Sequence, residues 1–468
     1  MSGGAWTVLA VAGVTAAYAL GSRRLATTPL SSAVVFTGCG VLLGPAVLAV
    51  IDTDEAGPIT ALLEAALTLV LFTDAMTVRR RDLTRGGFLP RRLLGIGLLL
   101  SIAAGWLLAW PLLPGLTVWE LALVGVILAP TDAALGKSAI SDRRVPPLVR
   151  QGLNVESGLN DGMVLPFFVV FLAAVPGTSY AAEGVAGTFW RSLLLSTVLG
   201  LLVGGGAGRL LQAARARGLI TREWRHVYVL AVAAGAYELA VVVDGSGFIA
   251  AWVAGFAFGH ALRNVPGSPA TTTAPGRDGD PKTGPKTDPD AERETDGGRD
   301  TTADLAEDLG GLLASIALLL FGAVLLGPAL QHLTWPVVGY ALLSLTVVRM
   351  VPVALSLLGS GLRAPTVLYI GWFGPRGLAS VVLGLLVAEE HVAGTELLGR
   401  VVAVTVALSV LLHGASAFVL AGAYGAWYRR ASATAPAPGL KESAEVPPGP
   451  SRRRLGRHHE GPGVRDSG

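Results

Sequence analysis

Charged residues are scarce in this sequence: aspartate, glutamate, lysine and arginine together make up 15% of 468 residues. A soluble globular protein carries about a quarter. Hydrophobic residues make up 52%, and the mean hydropathy is +0.58. Apolar runs of about 18 or more residues recur along most of the chain, as in polytopic membrane proteins. The shortage of charge therefore excludes an ordinary soluble domain.

Cysteine and nucleotide-binding motifs are scarce as well. Cys39 is the single cysteine, so no internal disulfide can form, and its place in an apolar run predicts a packing residue. The sequence has no Walker A motif and no strand-linked G-x-G-x-x-G motif, which argues against an ATP-driven pump. Its net charge is only +3 and it has no nucleic-acid motif. We predict no nucleic-acid partner and no cofactor.

The apolar segments are long enough to cross a membrane. At about 20 residues per crossing they give about thirteen spans, which predicts an all-α polytopic membrane protein. The first run resembles a signal peptide, but basic residues follow it rather than precede it, so we expect a retained helix. The predicted spans lie near 5–21, 29–50, 59–77, 93–113, 118–136, 150–175, 187–212, 226–243, 246–262, 305–327, 335–358, 366–388 and 400–427.

Basic residues concentrate in alternate loops, at 23–24, 79–92, 141–150 and 212–226, whereas the intervening loops have almost none. Because basic loops stay in the cytoplasm, we expect a multi-pass cell-membrane protein with its N-terminus outside. An odd span count and the basic residues at 428–430 then place the C-terminus in the cytoplasm.

Two segments have a composition that cannot form a core. Residues 264–303 are rich in Pro, Gly, Thr and charges of both signs, which predicts a disordered cytoplasmic loop. The segment 429–468 is rich in Pro, Ala and Arg, which likewise predicts a disordered cytoplasmic tail. Its basic cluster could contact anionic lipid, although a solvated tail is favoured. The predicted membrane domain is 1–428, interrupted by the loop.

Ionisable residues inside the apolar spans are the main functional signal, because a charge at mid-bilayer costs about 2.5–3.5 kcal/mol and usually marks an ion pathway. Asp132 follows Pro130 late in the fifth span. Proline breaks a helix and frees carbonyl groups that can ligate a cation. Alternatively, Asp132 only caps a helix end near the membrane surface.

The sixth span contains the sequence VESGLND. Glu156 and Asn160 lie four residues apart on one helical face, and Ser157 and Asp161 share the adjacent face. Their oxygens are hard ligands, suited to Na⁺ or K⁺. No histidine or cysteine stands beside them, so we do not expect a transition-metal site.

The twelfth span repeats the pattern of an interrupted helix, with Arg376 beside a Gly374-Pro375 break. The fifth and twelfth spans lie seven apart. An odd separation gives them opposite orientations, as in an inverted repeat. Arg376 either balances the carboxylates or compensates helix-end dipoles.

Other polar residues in the spans receive weaker interpretations. We favour a structural ion pair between Glu156 and Arg349 of the eleventh span, since a buried pair can hold helices in register. His413 is favoured as a packed histidine over a proton relay, and Asp74 is expected at the membrane interface. Glu64 and Glu238 also fall in spans and have no assignment.

Several motifs occur in order: PTDA, then ESGLNDG about thirty residues later, an arginine in the eleventh span and GPRGLAS in the twelfth. Together with PLSSAVVFTGCGVLLGP and LTLVLFTDAM, they resemble the monovalent cation:proton antiporters of the NhaP and Na⁺/H⁺ exchanger type, over about residues 5–428. The resemblance implies an NhaA-like fold of thirteen helices in two inverted six-helix repeats, a homodimer, and elevator-like movement of a core domain.

The resemblance also implies roles for the polar residues. Asp161 would bind the cation and the proton alternately, with Asp132 as the second carboxylate at the cation. Thr131 and Ser157 would help to hold the ion, and Asn160 would orient the site. The Asn160–Asp161 pair is similar to the electroneutral branch of the family, whereas a paired Asp–Asp is similar to the electrogenic branch.

We therefore predict a secondary transporter, not an enzyme, that exchanges Na⁺ for a proton one for one by alternating access and serves sodium transport and pH homeostasis. Its partners would be the cation, the proton, the lipid bilayer and a second copy of the chain. K⁺/H⁺ exchange is the alternative, because oxygen ligands bind both ions. An intramembrane aspartyl protease is remote, since the YD and GxGD motifs of that class are missing. A channel is a further alternative, and cation movement driven by a pH step would distinguish it from an exchanger, because a channel needs no counter-moving proton.

Overall fold

The computed structural model describes residues 3–25, 31–51, 56–78, 88–132, 135, 142–182, 184–263, 301–390, 392–434 and 440–443. All regular structure in these ranges is helical. Within them, nine helices are long and apolar enough to cross a membrane, and three shorter apolar helices accompany them. The all-α polytopic fold is therefore confirmed, whereas the count of thirteen spans stays a prediction.

The helices of the first half begin at recognisable sequence signals. The Ser31 side chain caps one helix by accepting the N–H of Val34, and Thr117 and Glu120 form a capping box at another. These helices are α1 (Gly3–Leu25), α2 (Ser32–Leu43), α3 (Ala56–Thr77), α4 (Phe88–Leu112), α5 (Val118–Ile127), α6 (Pro147–Ala174), α7 (Val185–Ala216), α8 (Arg222–Val242) and α9 (Gly247–Arg263).

The second half contains the interrupted helix that the sequence predicts. Its two halves are separated by residues 373–377, which adopt no regular structure. The helices of this half are α10 (Thr301–Phe321, continued through a π-helical turn at Gly322–Leu326 to Gly327–Gln331), α11 (Trp335–Ser356), α12a (Ala364–Trp372), α12b (Leu378–Glu389) and α13 (Thr395–Thr434).

The half-helices α5 and α12b lie at the centre of the bundle. From Leu121 to Ile127 every residue of α5 is buried, and so is every residue of α12b from Leu378 to Gly384. A helix segment that is buried on every side is enclosed by other helices rather than by lipid. α5 ends at Ile127, and the chain has no regular structure from Pro130 to Asp132. The expected continuation of this span falls at 133–134 and 136–141, outside the described residues.

Glycines let α7, α9 and α3 pack with their backbones in contact. A Cβ added to Gly204 of α7 would overlap the carbonyl oxygen of Ala254 in α9, and one added to Gly255 of α9 would overlap that of Phe72 in α3. Small residues at helix interfaces are typical of membrane bundles, where close packing replaces the hydrophobic effect as the driving force. These three helices therefore form one tightly packed layer beside the central half-helices.

Gly204→Ala is expected to lower the melting temperature in detergent, because the added methyl group forces α7 and α9 apart. Overpacking of this kind costs about 1–3 kcal/mol. The matched control is Gly206→Ala on the same helix, where a Cβ would meet nothing within 4 Å and alanine favours the helix. Thermal unfolding of both variants checks the prediction, and equal melting temperatures would contradict it.

The structure differs from the predicted loop and tail at their edges. α10 begins at Thr301, inside the segment predicted as loop, and α13 continues to Thr434. Beyond it, Glu442 is 1% exposed, and its carboxylate accepts the N–H of Arg363 and the hydroxyl of Thr366 at the start of α12a. Composition missed this contact because a single buried carboxylate suffices to cap a helix. The rest of both segments, 264–300, 435–439 and 444–468, lies outside the described residues.

Candidate ion site

Asp132 links the two broken helices. Its N–H donates to the carbonyl of Pro375 at 2.8 Å, and its Oδ2 accepts the N–H of Leu378, the first residue of α12b, at 3.3 Å. A Cβ at Gly377 would overlap this carboxylate, so only glycine allows the approach. Asp132 therefore acts on the N-terminus of α12b, where a negative charge is favourable, and it does so at the centre of the bundle.

Arg376 performs the converse task for α5. Its side chain is 0% exposed, and its Nη1 donates to the carbonyls of Ala129 (3.1 Å) and Pro130 (3.2 Å), just beyond the end of α5. Ser380 Oγ donates to the carbonyl of Ile127 at 2.7 Å. A cation beside the carbonyl end of a helix compensates its partial negative charge. Each break thus supplies the charged group that the other break requires.

Thr131 joins the break in α5 to α6. Its Oγ1 accepts the amide N–H of Asn160 at 2.7 Å and lies 3.2 Å from Ser157 Oγ. All three side chains are buried. The structure therefore brings together residues that the sequence places on two different spans, and it fixes the orientation of the Asn160 amide.

Two buried oxygens in this cluster accept no hydrogen bond from the described residues: Asn160 Oδ1 and Asp161 Oδ1. Asp161 is only 8% exposed. A buried oxygen without a donor is unfavourable unless another positive partner approaches it. The pair is therefore suited to a cation or, at the carboxylate, a proton.

Asp161 is also within electrostatic range of two other carboxylates, Asp132 and Asp74. Asp74 lies on α3, and its Cβ is 3.7 Å from the position that a Cβ on Gly158 of α6 would take. The sequence placed Asp74 at the interface and gave it no role. Its position against α6 could not be read from its own span, because it depends on how α3 and α6 cross.

Glu156 and Arg349 form a two-pronged ion pair between α6 and α11. Arg349 Nη1 and Nη2 donate to Glu156 Oε1 and Oε2 at 2.6 and 2.9 Å, and their side chains are 4% and 3% exposed. A Cβ on Gly374 would overlap the Arg349 guanidinium. The pair predicted from the sequence is present, and it packs directly against the break in α12.

The family model described as "Sodium/hydrogen exchanger, transmembrane" matches residues 9–422. A K(+)/H(+) antiporter NhaP of Alkalimonas amylolytica is 26% identical over 81% of this chain and 60% of its own length. A probable Na(+)/H(+) antiporter of Schizosaccharomyces pombe is 26% identical over 49% of this chain and 32% of its own. The chain thus spans less than two thirds of these relatives.

The fold is also that of a solved antiporter. The sodium proton antiporter MjNhaP1 of Methanocaldococcus jannaschii superposes with a TM-score of 0.69, over 90% of this chain and 98% of that one, at 21% sequence identity. The likeness extends over almost the whole of both chains. It confirms the predicted antiporter fold for this sequence.

Proposed function

This chain belongs to the sodium/hydrogen exchanger family, and on that premise we propose that it exchanges a monovalent cation, first of all Na⁺, for a proton across a membrane. The observation that carries the proposal is the pair of buried oxygens, Asp161 Oδ1 and Asn160 Oδ1, that accept no hydrogen bond from the described residues. A carboxylate at this depth requires a positive partner. A proton and a metal cation are the two partners that Asp161 can bind in turn.

The residues around Asp161 have different roles in binding the cation. Asp132 and the hydroxyls of Thr131 and Ser157 supply further hard oxygens for the cation. The bond from Asn160 to Thr131 fixes the amide so that its oxygen remains available. Because the cation and the proton compete for one carboxylate, each is released when the other binds. Alternating access of this site to the two sides of the membrane converts the competition into exchange.

Proteoliposomes test the proposal directly. A Na⁺ gradient applied to purified protein is expected to move protons in the opposite direction, followed with a pH-sensitive dye inside the vesicles. Parallel assays with K⁺ and Li⁺ give the ion preference. Proton movement that does not depend on any monovalent cation gradient would overturn the proposal, and cation flux without proton movement would indicate a channel.

K⁺/H⁺ exchange on the same site is the second candidate. The relative named as a K(+)/H(+) antiporter aligns over 81% of this chain, more than the 49% of the Schizosaccharomyces pombe relative. Oxygen ligands accept either ion. The candidate is supported if K⁺ drives proton movement at concentrations where Na⁺ does not.

One-for-one exchange predicts that the cation and proton gradients at equilibrium are independent of membrane voltage. Asn160 is an amide and takes up no proton, so Asp161 alone changes its load if Asp132 keeps one protonation state. No net charge then crosses the membrane, whereas a cycle that moves one charge would gain about 2.3 kcal/mol per 100 mV.

For a Na⁺-selective protein, voltage is set with K⁺ and valinomycin while the Na⁺ gradient that stops proton movement is measured. We expect the same null gradient at every voltage. A null gradient that shifts with voltage would contradict the one-for-one stoichiometry without contradicting exchange itself.

We also propose a homodimer in the cell membrane, with the N-terminus outside and the C-terminus in the cytoplasm. The topology is supported by the alternation of basic loops along the sequence. Cysteine labelling from each side of the membrane checks the topology, at single cysteines introduced into a Cys39→Ala protein between α7 and α8 (217–221) and between α6 and α7 (175–184). Mass measurement in detergent checks the dimer.

A further inference from the structure

Three polar side chains on one face of α13 contact the break in α12. Ser409, His413 and Ser416 lie four and three residues apart, so they share a helical face. Ser409 Oγ accepts the N–H of Arg376 at 2.7 Å. His413 Nε2 lies 2.9 Å from the carbonyl of Trp372, and Ser416 Oγ accepts the indole N–H of the same Trp372 at 2.9 Å. α13 therefore binds both sides of the break.

The contacts of neutral His413 favour the tautomer with its hydrogen on Nε2, because Nδ1 has a hydroxyl donor nearby and Nε2 has none among its contacts with the described residues. A carbonyl oxygen can only accept, so Nε2 facing Trp372 carries a hydrogen. Nδ1 lies 3.2 Å from Ser409 Oγ, and in a neutral ring it accepts the hydroxyl hydrogen. The Ser409 carbonyl, 2.9 Å from Nδ1, would be the acceptor for a doubly protonated ring. In the neutral form one chain of hydrogen bonds runs from Arg376 through Ser409 and His413 to Trp372.

Burial makes the loss of any bond in this chain of hydrogen bonds energetically unfavourable. Ser409 is 0% and His413 is 2% exposed, so water does not replace a lost partner and a missing donor leaves a buried acceptor without one. By contrast, buried Thr405 on the same helix donates to the carbonyl of Val401 in its own preceding turn. The hydroxyl of Thr405 thus binds a carbonyl within α13, whereas the side chains of Ser409 and His413 bind backbone groups of the α12 segment.

The position of the break decides the position of Asp132. Within the break, the carbonyl of Pro375 accepts the N–H of Asp132, and Gly377 leaves room for its carboxylate. Pro375 and Gly377 both belong to the segment between Trp372 and Leu378. Helix α13 binds this segment at Arg376 and at the adjoining Trp372. A shift of this segment moves Asp132 relative to Asp161 and changes the geometry offered to the cation.

We propose that Ser409 and His413 are positioning residues of the cation site: they act through the break in α12 and set the affinity for the transported cation. The proposal rests on the proposed exchange function, since it concerns the same site. It gives His413 a role distinct from both simple packing and proton relay, because its ring holds the backbone and exchanges no proton in the cycle.

The test compares three purified variants in proteoliposomes by the cation concentration that gives half-maximal proton movement. His413→Leu removes both ring contacts and is expected to raise that concentration at least about tenfold, since the loss of one buried hydrogen bond alone corresponds to about that factor. The maximal rate should stay within about twofold, as for a change in binding alone. His413→Gln offers an amide N–H to Trp372 and an amide oxygen to Ser409, and should restore most of the affinity. Thr405→Val is the matched control and should behave as wild type.

The outcomes separate this proposal from the function on which it rests. If the wild type moves no protons under any cation gradient, the exchange function fails. If the wild type exchanges and His413→Leu keeps wild-type affinity, or His413→Gln is as weak as His413→Leu, the positioning role is overturned. Should His413→Leu fail to fold, Ser409→Ala removes the acceptor of the Arg376 N–H with a smaller change in volume. Wild-type affinity in that variant would then overturn the role.

Discussion

Asp161→Asn is expected to reduce cation-driven proton movement to the level of protein-free liposomes while the protein remains folded. The asparagine keeps the shape of the side chain but neither binds a proton nor carries a charge, so the site loses the group for which proton and cation compete. Asp161 is 8% exposed and its Oδ1 accepts no hydrogen bond from the described residues. The substitution therefore removes no hydrogen bond to Oδ1, and stability should change little.

The measurement is exchange at several pH values, with folding followed by size-exclusion chromatography and thermal unfolding. Asp244→Asn is the matched control: its side chain is 76% exposed and pairs with Arg191 at 3.0 Å, far along the chain from the site. The control should exchange as wild type. Appreciable exchange by Asp161→Asn at any of these pH values would remove Asp161 from its assigned role.

Arg349→Ala is expected to cause the largest loss of stability among single substitutions at the site. Removing the guanidinium leaves the buried Glu156 carboxylate without its partner, and breaking a buried pair costs about 3–5 kcal/mol. We expect a markedly lower melting temperature in detergent and a lower yield of inserted protein. The loss should exceed that of Gly204→Ala, which introduces only overpacking.

The matched control is Arg400→Ala at the start of α13. Arg400 forms an i,i+4 pair with Glu396 at 2.7 Å, but Glu396 is 84% exposed, and such surface pairs are worth about 0.3–0.5 kcal/mol. Combining Arg349→Met with Glu156→Gln removes both charges and should recover part of the lost stability. An Arg349→Ala protein that melts as wild type and yet does not exchange would assign Arg349 a direct role in transport.

Residues that carry their own local signal were predictable from the sequence. Pro130 and Pro375 lie at the two breaks, since proline removes a backbone hydrogen bond of a helix. Proline alone does not locate a break, because Pro166 and Pro352 lie inside continuous helices. The neighbouring Asp132 and Arg376 complete the signal. The polar face of α6 follows from spacing, and the pairing of Glu156 with Arg349 follows because few residues in the spans can neutralise a buried carboxylate.

Contacts set by helix crossing were not predictable. Asp74 and His413 lie in largely apolar spans, and nothing in the sequence around them indicates Gly158 or Trp372 as the neighbour. Glu442 lies in a segment whose composition predicts disorder, yet its carboxylate caps α12a. In each case the partner lies on another element, so local pattern reveals the polar residue but not its task.

The reciprocal compensation of the two breaks has a consequence for biogenesis. Asp132 and the N–H group of Leu378 are separated by 246 residues, which take a ribosome roughly 10–50 s to synthesise at typical rates. During that interval the first break is in the membrane without the arginine that binds its carbonyls, so the half-helix must remain hydrated or be held by the insertion machinery. The proposed ion site is therefore completed late in synthesis, and a chain interrupted before Arg376 would lack the side chain that binds the carbonyls of Ala129 and Pro130.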